Sequence, residues 1–135
     1  MKRYLAIPSD VEEVARKAVD AVFHLHTELG PGLLESVYGN CLEEEFRHRA
    51  INYRREVPIP LNYRSRQLDV GFRADFIVED KLLIELKVVE GIIPIHQAQV
   101  ITYLKLSKFK LGLLVNLNVP RIKDGIRRLF NPTLI

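Results

Sequence analysis

The sequence predicts an α/β fold in one domain, residues 1–135, ordered helix, helix, three strands, helix, strand, short helix. Three observations predict it. Apolar residues recur at helical spacing from Val11 to Leu29 and again from Leu34 to Phe46. On either side of Glu79-Asp80-Lys81, apolar and polar residues alternate with the two-residue period of a strand. Leu111 to Leu117 is a nearly continuous apolar run, as expected of a strand buried on both faces.

Each element has its own signal. Ser9-Asp-Val-Glu12 has the form of a capping box, which starts the first helix. Val11, Val14, Ala15, Ala18, Val22, Leu25 and Leu29 make that helix's apolar face. Gly30-Pro31-Gly32 stops it, because both residue types break helices. A second helix is expected from about Leu33 to Arg49, burying Leu34, Val37, Leu42 and Phe46. Tyr53 to Tyr63 reads as a strand. Pro58 and Pro60 cannot donate to a ladder, so it belongs at a sheet edge or is irregular there. Arg64-Ser65-Arg66 turns the chain, and Leu68 to Val78 and Leu82 to Val89 are the next two strands. A helix from Ile95 to Ser107 opens after Pro94, then comes the strand Leu111 to Leu117. Arg121 to Phe130 reads as a short basic helix, weakened by Gly125.

Bulk properties exclude several classes. The chain is 47% hydrophobic and 27% charged, ordinary for a globular protein and wrong for a disordered one. No apolar run approaches the roughly 18 residues of a membrane-spanning helix. The apolar stretch from Tyr4 to Pro8 is too short for a secretion signal, so none is expected. Cys41 is the only cysteine, which excludes an internal disulfide and a cysteine-based zinc site and makes the cytoplasm the default address. A net charge of +3 permits a nucleic-acid partner without demanding one.

The chemistry concentrates at the Asp80 hairpin. In Leu82–Val89, Leu82, Ile84, Leu86 and Val88 share one parity, and Glu85 and Lys87 the other. In the preceding strand Ala74, Phe76 and Val78 face one way, Arg73 and Asp75 the other. If the loop is Glu79 to Lys81, Val78 pairs with Leu82 and Asp75 falls opposite Glu85, with Cβ atoms about 5 Å apart. An even-length loop or a bulge would undo this. Two carboxylates so close repel unless a cation sits between them. Hard oxygen ligands suit Mg²⁺ or Mn²⁺, and a neighbouring lysine suits phosphodiester cleavage. Taken alone, a solvated hairpin with an ordinary Asp75–Lys87 ion pair is the commoner outcome.

Two clusters add weight. Glu35 and Tyr38 share a face at the start of the second helix; the plain alternative is a first-turn acid and a half-buried aromatic. His96, Gln99 and Tyr103 form a polar stripe on the third helix; the plain alternative is simple amphipathicity. A stripe of neutral donors suits a phosphate, or a lysine held in place.

These residues, with HTELGPGLLESVY, RADFIVEDKLLIELK, PIHQAQVITYL and GLLVNLNVPRIKDGIRRL, resemble the GxxExxY family of the PD-(D/E)xK nuclease superfamily. The name describes Gly32, Glu35 and Tyr38 as they stand here, and the resemblance spans about Val11 to Phe130. It implies a restriction-endonuclease-like α-β-β-β-α-β core: a mixed four-stranded sheet flanked by helices, plus an extra N-terminal helix. It implies that Asp75 and Glu85 bind metal, that Lys87 is the catalytic lysine, and that Glu35 is the acid from the helix before the sheet. Gln99 and Tyr103 match a Q-x-x-x-Y signature of one nuclease branch. Ala74 stands where the pattern has proline. His26 and His96 fit recurring positions without an assigned role.

The expected function is a Mg²⁺- or Mn²⁺-dependent nuclease acting on DNA, with Asp75, Glu85 and the Leu86 backbone carbonyl holding the ion and Glu35 reaching it directly or through water. The alternative is a non-catalytic nucleic-acid-binding or regulatory module on the same fold, since a fold does not establish activity. A purely structural partner protein has no positive support. Arg121, Lys123, Arg127 and Arg128 are phosphate contacts or a solvated basic face. A homodimer or partner protein would supply specificity, through the two-proline strand or the basic tail.

Overall fold

The computed structural model describes residues 7–134, so most of the apolar stretch from Tyr4 weighed as a secretion signal lies outside the described residues. Helix α1, Ser9–Leu29, buries Val11, Val14, Ala15, Ala18, Val22 and Leu25, as its spacing predicts, while Leu29 is exposed. The expected Ser9 capping box does not form. Pro8 is the N-cap residue and its carbonyl accepts the Glu12 amide at 3.0 Å. The Glu12 carboxylate is taken instead by the Arg128 guanidinium, at 3.0 Å to Nη1. Tertiary pairing has outbid the local cap.

Helix α2 spans Glu35–His48 and buries Tyr38, Leu42 and Phe46. Leu34 and Val37 were expected inside and are outside: Leu34 precedes the helix with 72% of its surface exposed. The core face of α2 is centred on Tyr38, Leu42 and Phe46, and neither residue reaches it.

Strands β1 (Tyr53–Pro58), β4 (Arg73–Val78), β5 (Leu82–Lys87), β6 (Leu111–Asn116) and β7 (Ile126–Phe130) form one sheet in the order β1-β4-β5-β6-β7. Only β5 and β6 run parallel, joined by helix α3 (Pro94–Ser107); the other pairs are antiparallel. Strands β2 (Leu61–Tyr63) and β3 (Arg66–Leu68) form a separate two-stranded hairpin. Tyr53–Tyr63 is therefore two strands and not one, and Leu68–Val78 is likewise interrupted. Pro58 and Pro60 account for the first break, since neither offers an amide to a ladder.

The expected four-stranded sheet has a fifth strand, and it comes from the segment expected to be a basic helix. Only Ile122–Gly125 is helical there, as one 3₁₀ turn. Ile126 to Phe130 then pairs along β6 from Val115 to Leu111. A free ladder edge on β6 pairs the backbone groups of alternate residues along Ile126–Phe130 and so overrides local helical propensity.

Both faces of the sheet are covered. α1 and α2 pack on Phe76, Val78, Leu82, Ile84, Leu111 and Leu113. On the other face α3 lays Val100, Tyr103 and Leu104 against Ile77, Leu83 and Leu114. The face carrying Glu85 is thus roofed by a helix, not solvated. Gly112 permits that close approach: a Cβ there would lie 3.1 Å from Val100 Cγ1. Among the described residues no helix is long and apolar enough to cross a membrane.

Candidate active site

The register between β4 and β5 is the one the three-residue turn predicts: Val78 pairs with Leu82, Ile77 with Leu83 and Phe76 with Ile84. The ladder stops there, one position short of Asp75 and Glu85. From that point side chains replace carbonyls as acceptors. The Asp75 amide donates to Glu85 Oε1 at 3.3 Å, and the Leu86 amide donates to Asp75 Oδ2 at 2.7 Å. Each acid is pinned by the other strand's backbone, so the two carboxyls are held together at the end of the sheet.

Burial makes this pair electrostatically costly. Glu85 is only 6% exposed. Its carboxyl is pushed up to about 9, first by desolvation, then by the Asp75 charge and the hydrogen bond between the two carboxyls; Lys87 pulls the other way. Glu35, at the rim of the cleft, is raised by partial burial and by Asp75, again opposed by Lys87. The Tyr103 phenol is raised by burial and by the charges of Glu85 and Asp75, with the Arg73 backbone and Gln99 counteracting. Asp75 and Lys87 thus bear on both Glu35 and Glu85, Glu85 and Asp75 bear on Tyr103, and Gln99 bears on Tyr103.

The supporting structure explains the motif spacings. Gly32, at φ +105°, makes the turn between α1 and α2. Tyr38 is fully buried; its hydroxyl donates to the Gly30 carbonyl at 2.5 Å and accepts the Leu33 amide at 3.3 Å. That clamp sets where α2 begins, and Glu35 is its first residue. Neither histidine points at the acids. His26 is buried with Nε2 3.2 Å from the Leu117 carbonyl, tying α1 to the end of β6. His96 Nδ1 accepts the Ile93 amide at 3.2 Å and so caps α3.

Several contributors were not foreseen. A cleft of about 310 Å³ opens between α2 and the strands, lined by Glu35, Ser36, Gly39, Arg55, Glu56, Asp75, Phe76 and Leu86. Arg55 donates to Asn40 Oδ1 at 2.7 Å, and a Cβ on Gly39 would sit 2.6 Å from its Nη2. Glu56 lies across from Asp75 in a left-handed conformation, φ +53°, where no pair is made. Buried Asn116, beside Lys87 in the β5–β6 register, binds both the amide and the carbonyl of Val89, at 3.1 and 2.9 Å. Only the chain's pairing could reveal these; none carries a signal at its own position.

The donor set at this end of the sheet can be compared with what a divalent cation requires. Among the described residues no three His, Cys, Asp or Glu side chains meet at ligating distance. The fit is with a pair of carboxyls, Asp75 and Glu85, with Glu35 across the cleft. The donors are oxygens only, the preference of Mg²⁺ and Mn²⁺. The upward pressure on Glu85 comes first from burial and then from the Asp75 charge, and a cation held between the two carboxyls would oppose both.

Comparison with known proteins adds three findings. A family model described as PD-(D/E)XK nuclease superfamily matches residues 12–129. A solved structure described as "Crystal structure of SSO0001" is similar in fold, with a TM-score of 0.57 and 24% identity, over 90% of this chain and 59% of that one. The chain thus spans well under two thirds of that protein's length. No curated protein matches the sequence.

Proposed function

Because this chain belongs to the PD-(D/E)XK nuclease superfamily, we propose that it is a metal-dependent nuclease that hydrolyses phosphodiester bonds of DNA. The observation that carries this reading is the pinning of the Asp75 and Glu85 carboxyls against each other, beside Lys87, where the β4–β5 ladder ends. DNA as target, Mg²⁺ or Mn²⁺ as ion and the cytoplasm as compartment are parts of the same proposal.

Asp75, Glu85 and the Leu86 carbonyl would hold the ion, with Glu35 contributing directly or through water. When bound, it polarises the scissile phosphate and acidifies a water. Lys87 orients the attacking water and balances the charge that develops on the phosphate. Tyr103 and Gln99 hold the phosphate or the lysine in line from the α3 side. Asn116 fixes the chain just beyond Lys87, which keeps its ammonium in register.

Asp75→Ala, Glu85→Ala and Lys87→Ala should each abolish cleavage while leaving the fold intact by circular dichroism. Wild-type protein that cuts neither DNA nor RNA with Mg²⁺ or Mn²⁺ defeats the reading. Among the described residues no third acid joins Asp75 and Glu85 in a ligating group, which is the feature a module that binds nucleic acid without cutting it would share. Calorimetry separates the two. The nuclease binds Mn²⁺ and loses it on Glu85→Ala; the module takes up no ion, and its nucleic-acid binding tolerates that substitution.

A further inference from the structure

We propose that the β2–β3 hairpin is an arm that grips an unpaired nucleic-acid strand beside the cleavage centre, stacking a base on Tyr63 and holding phosphates with Arg64, Arg66 and Arg73. The proposal rests on the nuclease reading for its choice of ligand.

Position comes first. β1 ends at Pro58, which pairs with Arg73, two residues before Asp75. The hairpin is the excursion between those two strands, closed at its base by the Ile59 amide on the Phe72 carbonyl at 2.8 Å. It therefore rises from the acid-bearing end of the sheet, the end away from the Glu79–Lys81 turn. Its base is anchored on the site itself: the Phe72 and Tyr103 rings lie 5.4 Å apart. Leu61 and Leu68 pair across the base, half-buried, and Tyr63 pairs with Arg66 near the tip. Strand geometry gives the arm a reach of roughly 13 Å.

Charge comes second. Arg16, Arg47, Arg49, Arg54, Arg55, Arg121 and Arg128 each stand within 4.0 Å of a carboxylate. Among the described residues Arg64, Arg66, Arg73 and Arg127 do not. Three of these four lie on the hairpin or on the strand that leaves it. Their charge is uncommitted and sits next to a site whose substrate is a polyanion.

Chemistry of the tip comes third. Tyr63 is 61% exposed, with the Arg64 guanidinium 6.0 Å from its ring centre. An exposed ring flanked by arginine is a stacking platform, and base faces are open to it only where bases are unpaired. The two-residue turn places Arg64 and Ser65 at φ +49° and +63°, where asparagine and glycine are the favoured pair. The tip thus carries residues poorly suited to its backbone and well suited to a phosphate.

The test measures anisotropy of a labelled single-stranded oligonucleotide and of its duplex, in EDTA so that nothing is cut, alongside cleavage in Mn²⁺. Tyr63→Ala should weaken single-strand binding about ten-fold and duplex binding by less than about two-fold. Arg64→Asn combined with Ser65→Gly should raise the melting temperature yet weaken binding. It should also lower the slope of log affinity against log salt by roughly 0.7 on the single strand. Both variants binding single strands as wild type does overturns the arm, and cleavage by wild type then leaves the nuclease reading standing. Loss of binding in the variants of a wild type that never cuts sustains the arm and removes the nuclease. A wild type that binds neither oligonucleotide overturns the arm.

Discussion

Glu85→Gln should make the metal-free protein more stable at neutral and alkaline pH, although it removes a proposed ligand. The carboxyl titrates at about 9 in the fold against 4.5 as the reference for an exposed chain. Between those values the native state holds a proton that the unfolded state has released. Stability therefore falls as pH rises above 4.5 and stops falling near 9, where the native group also ionises. At pH 7 the accumulated penalty is on the order of 3 kcal/mol, a ceiling because its partner Asp75 borders an open cleft. Glutamine keeps the shape. Its Oε1 still accepts the Asp75 amide, and its NH₂ donates to the Asp75 carboxylate where the shared proton stood. Urea denaturation in EDTA from pH 4.5 to 8.5 should show the wild type losing stability and the variant holding it. The two should coincide at the acid end and draw apart as pH rises, by at most about 3 kcal/mol at pH 7 and by more at the alkaline end, which is several degrees in Tm. Parallel curves would mean that Glu85 is not held protonated by burial and by Asp75, and the electrostatic account of the site fails. In Mn²⁺ the order should reverse, because the ion stabilises only the chain that binds it.

Three further outcomes follow from the framework around the site. Tyr38→Phe should cost about 1–2 kcal/mol by urea denaturation, because its hydroxyl holds Gly30 and Leu33 together; cleavage should fall with it, since that clamp sets the start of α2 at Glu35. Gly125→Ala should destabilise the fold by more than about 2 kcal/mol, because the new methyl would stand 2.1 Å from the Asn116 carbonyl oxygen, a backbone atom that cannot swing away. Arg128→Ala should change stability by under about 1 kcal/mol, and less in high salt, since its bond to Glu12 lies at the surface.

The placing of the acids follows from a short chain of physical causes. A three-residue turn fixes the β4–β5 register, and register fixes which side chains share a face. Glu85 is then buried under α3, whose approach Gly112 allows. The same roof that makes Glu85 expensive to ionise in the free protein lowers the local dielectric, so that a cation seated there is held more strongly.

Much of this was written locally. The α1 face, the Gly-Pro-Gly break, the Asp80 turn and the buried run at Leu111 are patterns of period or of backbone-restricted residues, and each acts within a few positions. Asp75, Glu85 and Lys87 were legible for the same reason, since alternation and an odd loop length suffice to align them. What lay beyond local reading had partners far along the chain. Ile126–Phe130 is a strand because β6 offers it an edge; Glu12 abandons the capping box because Arg128 lies across from it; Leu34 is outside because the core of α2 was claimed by Tyr38, Leu42 and Phe46. Arg55 and Glu56 reach the cleft only through the pairing of β1 with β4. The sequence determined which groups are available and which face they share; the tertiary structure decided how dry they are and what they oppose, because burial and long-range pairing are set by segments that no local pattern contains.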